Sequence, residues 1–419
     1  MPENKIISEK QLAWLARLDR FSAVSGALVP TGLIVGNVGF EGVIALAGLS
    51  WLLRILLAVA WKDPDRRYSI AFLGRHPLVL PWIVWYAVII ISLACNEPTG
   101  GKWGYNLAFA RHLVFLAAML DISRRLPVGR YFLFGLAGGL AWAAANALSA
   151  HLLGHDFIGR PLARYTGRLK EGSRIAHLAA FAAPFYCCRV LLTPKLTTEL
   201  KRRLILLTLL SICLVFITKS RTTILAMALG LVIPFLLRKR LLRFLVPFCL
   251  VLLIVGGWMI SQDGRMLDSV SMYHRFYIWK VSWLMWLEHP FFGVSASGFK
   301  EAFPLFASPD LAASFNLPDP TNFKWTWASH AHNLFLMVLV KSGIVGLAAF
   351  SWLLINAVRM ALRAGQDWRF GLVSWPVVFL TIGMIGTNIY DGMSLTLFAF
   401  FLVLIGDIKA VWSHADKIG

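Results

Sequence analysis

Residues 329–346 read SHAHNLFLMVLVKSGIVG: two histidines and an asparagine, an apolar run, then Lys-Ser-Gly. The run from Asn333 to Ser342 resembles the start of a membrane-crossing helix. Ten helical residues, however, rise only about 15 Å, half the hydrocarbon core of a bilayer. Counting it as a span would also put the basic segment 359–369 outside and invert every later helix. It is therefore read as a short helix lying on, or dipping into, the outer face. Gly343 ends it and turns the chain into the next span.

The rest of the chain sets the context for that reading. Its 419 residues are 58% hydrophobic with a mean hydropathy of +0.68, and the apolar residues fall in long blocks. Such blocks exceed the roughly 17 residues a helix needs to cross hydrocarbon, and none shows the alternation of an outer-membrane barrel strand. The fold class is an all-α polytopic membrane protein with about twelve spans. They are placed at 21–37, 42–60, 79–95, 105–121, 131–152, 175–192, 204–218, 222–237, 242–260, 343–361, 370–388 and 393–412. Three parts follow: nine spans in 1–260 with a basic loop at 153–174, an outer loop at 261–342 with short interfacial helices, and three spans in 343–419.

The N-terminal segment is charged and amphipathic, without the h-region and cleavage site of a signal peptide, so it is expected to be retained. The five cysteines lie in or beside apolar runs, with neither metal-like spacing nor a loop pair suited to a disulfide. A net charge of +20 raises the thought of nucleic acid, but much of the basic excess flanks apolar helices. With a cytoplasmic N-terminus, the inward segments hold 24 Lys and Arg and the outward segments 13. That follows the positive-inside rule and puts both termini in the cytoplasm.

Several charges on the outer face need a reason. The 153–174 loop carries Arg160, Arg164, Arg168, Lys170 and Arg174 against Asp156 and Glu171. It is either a solvated loop overruled by its neighbours or a surface that attracts a phosphate-bearing lipid head group. Arg111 and His112 interrupt span four, facing a cavity or snorkelling to the interface. Arg54, near the cytoplasmic end of span two, is read as snorkelling. Lys219, Ser220 and Arg221 form a tight outer turn, which sets Arg221 at the N-terminal end of span eight. The helix dipole already presents positive potential there, so the arginine is unfavourable unless an anion binds between the two. Arg275 lies on an aromatic, sparsely charged segment, 271–289, read as an interfacial helix; it is either an anion ligand or a cation-π partner of Tyr273 or Trp279. Asp391, between the last two spans, caps a turn or orients His332 or an arginine.

Together these pieces resemble the O-antigen ligase and polymerase family of envelope glycosyltransferases. The resemblance rests on His332-Asn333, nine residues, Gly343 and Gly346; on Ser220-Arg221 heading a span; and on Arg275 to Trp279 preceding HPFFGVSASGF. It covers roughly residues 219–346. Ser295 departs from it, standing where relatives often have a second glycine. The resemblance implies transfer of a finished glycan from undecaprenyl diphosphate to the lipid A core oligosaccharide, on the periplasmic face of the bacterial inner membrane, without cofactor or metal. Its partners would be those two substrates and the phospholipid bilayer, with no nucleic acid.

A mechanism compatible with this follows from the residues. A diphosphate on an anomeric carbon leaves readily once Arg221 and Arg275 neutralise its charge. A histidine can take the acceptor hydroxyl's proton, and a single displacement inverts the anomeric centre. His332 holds the motif position, while His330, two residues away on a helix, would face elsewhere. Asn333 holds the histidine or caps the helix. Arg111, Arg160, Arg164, Arg168, Lys170, Arg174, Lys219, His330, Asn333 and Asp391 are the candidate substrate contacts. A zinc site at His-x-His lacks a nearby carboxylate or cysteine. The competing activities are an O-antigen polymerase or a protein glycan ligase and, in a different class, a lipid-linked oligosaccharide flippase, which should show inverted repeats and midplane polar residues.

Overall fold

A computed structural model describes residues 8–61, 69–96, 103–160, 172–193, 196–218, 220–247, 250, 269–322, 325, 327–364, 366–386 and 389–413. The chain is helical, with no β-strand among the described residues. In order, the helices are α1 (Glu9–Ala27), α2 (Val29–Val35), α3 (Asn37–Ala60), α4 (Val79–Cys95), α5 (Trp103–Leu107), α6 (Ala110–Ile122), α7 (Val128–Leu153) and α8 (Gly172–Leu192). They continue with α9 (Thr198–Ile217), α10 (Arg221–Leu237), α11 (Ser269–Glu288), α12 (Phe299–Phe306), α13 (Pro309–Ser314), α14 (Leu334–Arg363), α15 (Gln366–Ile385) and α16 (Gly392–Ser413).

By length and apolarity four of these can each cross a membrane: α3, α7, α8 and α14. The α1–α2 pair, bent by 48°, raises the number to five. α4 and α10 are apolar but shorter. The helix that carries the first expected span, 21–37, begins earlier, at Glu9, where Ser8 and Gln11 form a capping box, and the span itself is divided between α1 and α2. The fourth, 105–121, is broken into α5 and α6, which sets Arg111 and His112 in the first turn of α6. Part of the ninth, 251–260, lies outside the described residues.

In a bilayer, lipid is as apolar as leucine, so helices associate by close packing and hydrogen bonding. α8 packs on α9, α10 and α15, while α14 packs on α4, α11 and α15. An aromatic cluster joins these groups: Trp85 lies 5.0 Å from Phe350 and 5.9 Å from Tyr390, and Trp375 lies 5.7 Å from Phe398. Tyr277, Ile278, Val281, Ser282 and Met285 form a buried stripe at helical spacing on α11, which seats that helix against α14.

Arg54 does not snorkel. It is fully buried, ion-paired with Asp19 at 3.1 Å and with Asp121. Arg125 bridges the same carboxylates at 2.7 and 3.0 Å, and the Trp51 indole donates to Asp121 at 2.9 Å. Two guanidiniums and two carboxylates thus close a locally neutral network between α1, α3 and α6. A snorkelling reading needs open water or head groups at that depth, and here the neighbouring helices supply carboxylates instead.

Candidate active site

The run 334–342 is helical, and Gly343 breaks it with φ 66° and ψ −170°, a conformation essentially confined to glycine. It is not a surface helix: Leu334, Met337, Val338, Leu339, Val340, Lys341 and Ser342 are all buried. It packs against α4, α11 and α15, and the preceding loop docks into the break. Val294 N–H donates to the Val340 carbonyl at 2.8 Å, and Ile344 N–H to that of Pro290 at 2.9 Å. On α4, Ser92 reaches the carbonyls of Phe292 and, at 3.0 Å, Lys341, while Asn96 donates to that of Gly293 at 2.7 Å. Backbone groups freed by the kink are therefore satisfied within the protein, as they must be at membrane depth. A Cβ on Gly343 would lie 1.9 Å from the Phe291 oxygen.

Ser295 adopts φ 73°, which explains why glycine suits that position, and its hydroxyl accepts from Gly298 N–H at 3.0 Å. The departure from the resemblance at this residue is thus a left-handed turn held by its own side chain.

The two histidines precede α14 and are not helical, so the helical argument for separating them fails. Their ring centres lie 3.9 Å apart, with the planes tilted by 46°. Ser329 Oγ lies 2.8 Å from His330 Nδ1. His332 is held at φ 51°, a region non-glycine residues rarely adopt. Beneath it Ala331 N–H meets Met337 Sδ at 3.3 Å, and the Asn333 side chain caps α14 by accepting from Leu336 N–H at 3.0 Å. Asn333 therefore fastens the histidine loop to the helix.

Arg221 is the first residue of α10, whose N-terminus has no side-chain cap. Neither the Arg221 nor the Arg275 side chain has a hydrogen-bonding or ion-pair partner among the described residues. They are close enough for the charge of Arg221, after burial, to push the Arg275 guanidinium below its usual range. Burial pushes the His332 imidazole down to about 4, with His330, Arg275 and His274 acting in the same direction. His330 is lowered by burial and then by Lys341, and raised by Asp391. These fields bring Arg221, Arg275, His274, His330, His332, Lys341 and Asp391 into one electrostatic neighbourhood.

The other candidate residues are engaged elsewhere. Arg160 pairs with Asp156 at 2.6 Å and donates to the carbonyls of Val35 at 3.2 Å and Ile34 at 3.0 Å. Arg174 donates to the carbonyl of Leu33 at 3.2 Å and to the Asn37 side chain. Arg111 pairs with Glu41 at 2.9 Å, and His112 is buried against Thr396 at 3.0 Å. Asp391 caps the start of α16, with Ser394 N–H at 3.4 Å. Its field falls on His330; His332 does not register it. Arg164, Arg168, Lys170 and Lys219 lie outside the described residues.

Two residues enter the site without having been singled out. His274 packs edge-on against Trp325 at 4.8 Å, and the Trp325 indole donates to the carbonyls of Pro318 and Asp319 at 2.9 and 3.0 Å, pinning the loop. Lys341 is 5% exposed, with its ammonium 4.9 Å from the centre of the Tyr390 ring. A buried lysine in an apolar helix points to function by default, a signal present in the Lys-Ser-Gly interruption itself. Among the described residues no group of three or more His, Cys, Asp or Glu could hold a metal ion.

Residues 206–351, from α9 through the break in α14, match the family model described as O-antigen ligase. The match spans roughly a third of the chain and supports membership of the O-antigen ligase/polymerase family. No curated protein matches the chain.

Proposed function

We propose that the chain is a glycosyltransferase that moves O-antigen polysaccharide from undecaprenyl diphosphate to a hydroxyl of the lipid A core oligosaccharide. The reaction takes place on the periplasmic face of the inner membrane, within a twelve-span arrangement whose termini are both cytoplasmic. The observation that carries this reading is the sorting of the arginines: Arg221 and Arg275 stand together with no side-chain partner among the described residues, beside a partly buried pair of histidines. Two adjacent guanidiniums repel each other, and a diphosphate relieves that repulsion through bidentate, charge-assisted hydrogen bonds. The uncapped N-terminus of α10 adds backbone donors to the same anion.

His332 is the general base. Its depressed basicity in the free protein keeps the imidazole neutral across the physiological range. Entry of the diphosphate offsets the field of Arg275 and raises the imidazole's proton affinity once the donor is in place. The acceptor O–H then breaks as its proton passes to His332. The oxygen attacks the anomeric carbon, and the C–O bond to the diphosphate breaks with its electrons on the departing phosphate. Charge neutralisation by the arginines needs no metal ion, and activity surviving exhaustive chelation would agree with that.

A polymerase that joins O-antigen repeats shares all of this up to the acceptor. Purified protein given lipid-linked glycan, and offered either lipid A core or carrier-linked glycan as acceptor, separates the two. Product on lipid A core is expected; lengthened carrier-linked chains without core product would replace the ligase reading with the polymerase one.

A further inference from the structure

The segment 269–332 exposes aromatic rings in two different settings. Along α11, Met272, Phe276, Lys280, Trp283 and Leu287 are exposed at helical spacing, a mostly apolar stripe suited to lipid. Trp327 is 43% exposed in the loop that carries the histidines, and the Lys300 ammonium lies 5.1 Å from its ring centre. Trp325 draws the chain at Pro318 and Asp319 against this loop, where Asp319, Thr321 and Ser329 are exposed. The Trp327 indole therefore has polar neighbours, unlike the α11 stripe.

Both members of the pair are fixed to the site. Ala328 and Ala331 are buried and hold the loop down on either side of Ser329, whose hydroxyl meets His330. From Trp327 to His332 the chain spans at most about 18 Å, a reach that a short oligosaccharide covers. Lys300 stands on α12, whose Phe299 and Phe303 are buried, and Phe303 packs edge-on against Tyr277, two residues after Arg275 on α11. The pair thus joins the loop of the histidines to the helix of an unpaired arginine.

We propose that Trp327 and Lys300 form a subsite for an anionic acceptor sugar. The indole packs against the C–H face of a pyranose, and the ammonium meets a phosphate or carboxylate borne by the same sugar or its neighbour. A pyranose is apolar on its C–H face and polar around its rim, which suits a large flat ring with a polar edge. The ammonium held at that ring keeps its charge and attracts the anion. Acceptor is assigned over donor because Trp327 lies on the loop of the group that takes the acceptor's proton. The inference rests on that reading of His332, with the donor's diphosphate at Arg221 and Arg275.

The test measures transfer by the full-length protein in lipid nanodiscs to lipid A core acceptor as isolated, after removal of its phosphates, and after reduction of its carboxyl groups. Trp327→Ala is expected to raise KM for every acceptor by about tenfold, with kcat and the donor's KM unchanged, and Trp327→Tyr to recover part of the loss. Lys300→Gln should raise KM for the untreated acceptor and leave it unchanged for the treated one that has lost the anion; Lys300 is exposed, so this variant keeps the test if Trp327→Ala does not fold. An unchanged acceptor KM in Trp327→Ala, or in Lys300→Gln with the untreated acceptor, would overturn the proposal. So would equal increases for donor and acceptor, which a loop anchored in the bilayer would give. Binding of core oligosaccharide freed of lipid A needs no turnover, and it should weaken in Trp327→Ala and persist in His332→Ala. A fully active His332→Ala protein beside weakened binding in Trp327→Ala would remove the base and leave the subsite standing.

Discussion

Arg54 and Arg221 are both arginines in an apolar helical protein, and they sit in opposite electrostatic situations. Arg54 is fully buried and meets Asp19 and Asp121, with Arg125 completing a neutral set. Arg221 heads an uncapped helix beside a second guanidinium, with no carboxylate partner among the described residues. The first arrangement is complete without a ligand. The second leaves positive charge unanswered and so implies an anion that comes from outside the chain. Loss of the first should be felt in stability, and loss of the second in binding and turnover.

The largest effect that would sharpen this contrast belongs to His332. His332→Ala should lower kcat for glycan transfer by about 10²–10⁴-fold, the usual worth of a general base, while thermal unfolding stays near that of the wild type. Retained activity would remove the base from the mechanism. Arg54→Ala should do the reverse. Breaking a buried pair by removing one partner costs about 3–5 kcal/mol, so the midpoint of unfolding should fall steeply, and any remaining folded protein should keep its donor affinity.

A smaller effect concerns pH. The neutral form of His332 is the base, and burial holds the imidazole near 4 in the free protein. The acid limb of kcat/KM for donor should therefore appear only as pH approaches that value. Bound diphosphate favours the imidazolium, so the limb of kcat should lie at higher pH. Coincident limbs in the two pH–rate profiles would mean that the donor does not act on His332. Smallest is Arg160→Ala, which removes the ion pair to Asp156 and the links to the Ile34 and Val35 carbonyls. It should cost about 1–3 kcal/mol of stability with little change in kcat. A strong loss of transfer without loss of stability would move Arg160 from the structural class to the substrate-binding one.

The contrast also separates what can be read in the sequence from what cannot. The break at Gly343 is legible because the run before it is too short to cross a bilayer and a glycine ends it. Whether that run faces lipid or protein is not, because both environments ask for the same apolar side chains. Packing against α4, α11 and α15 and docking of the 290–294 loop bury it. Arg221 and Arg275 stand out as charges that local structure does not favour. The partners of Arg160 and Arg174 include backbone carbonyls of residues 33–35, and a carbonyl leaves no mark in a sequence. The Asp19–Arg54–Asp121 network joins residues far apart in the chain, and its members look like ordinary charges near helix ends. Lys341 was visible as an ionisable residue in an apolar run, but its contact with Tyr390 is made only by the fold.

The central claim is that Arg221 and Arg275 await a diphosphate. Its most direct test is the affinity of the purified full-length protein for undecaprenyl diphosphate, compared with that of Arg221→Ala, Arg275→Ala and Arg160→Ala. Losing a charge-assisted hydrogen bond corresponds to about 10–100-fold in Kd. The first two variants should weaken binding by that amount, and Arg160→Ala should bind as the wild type does. Equal affinity in the wild type, Arg221→Ala and Arg275→Ala would contradict the account.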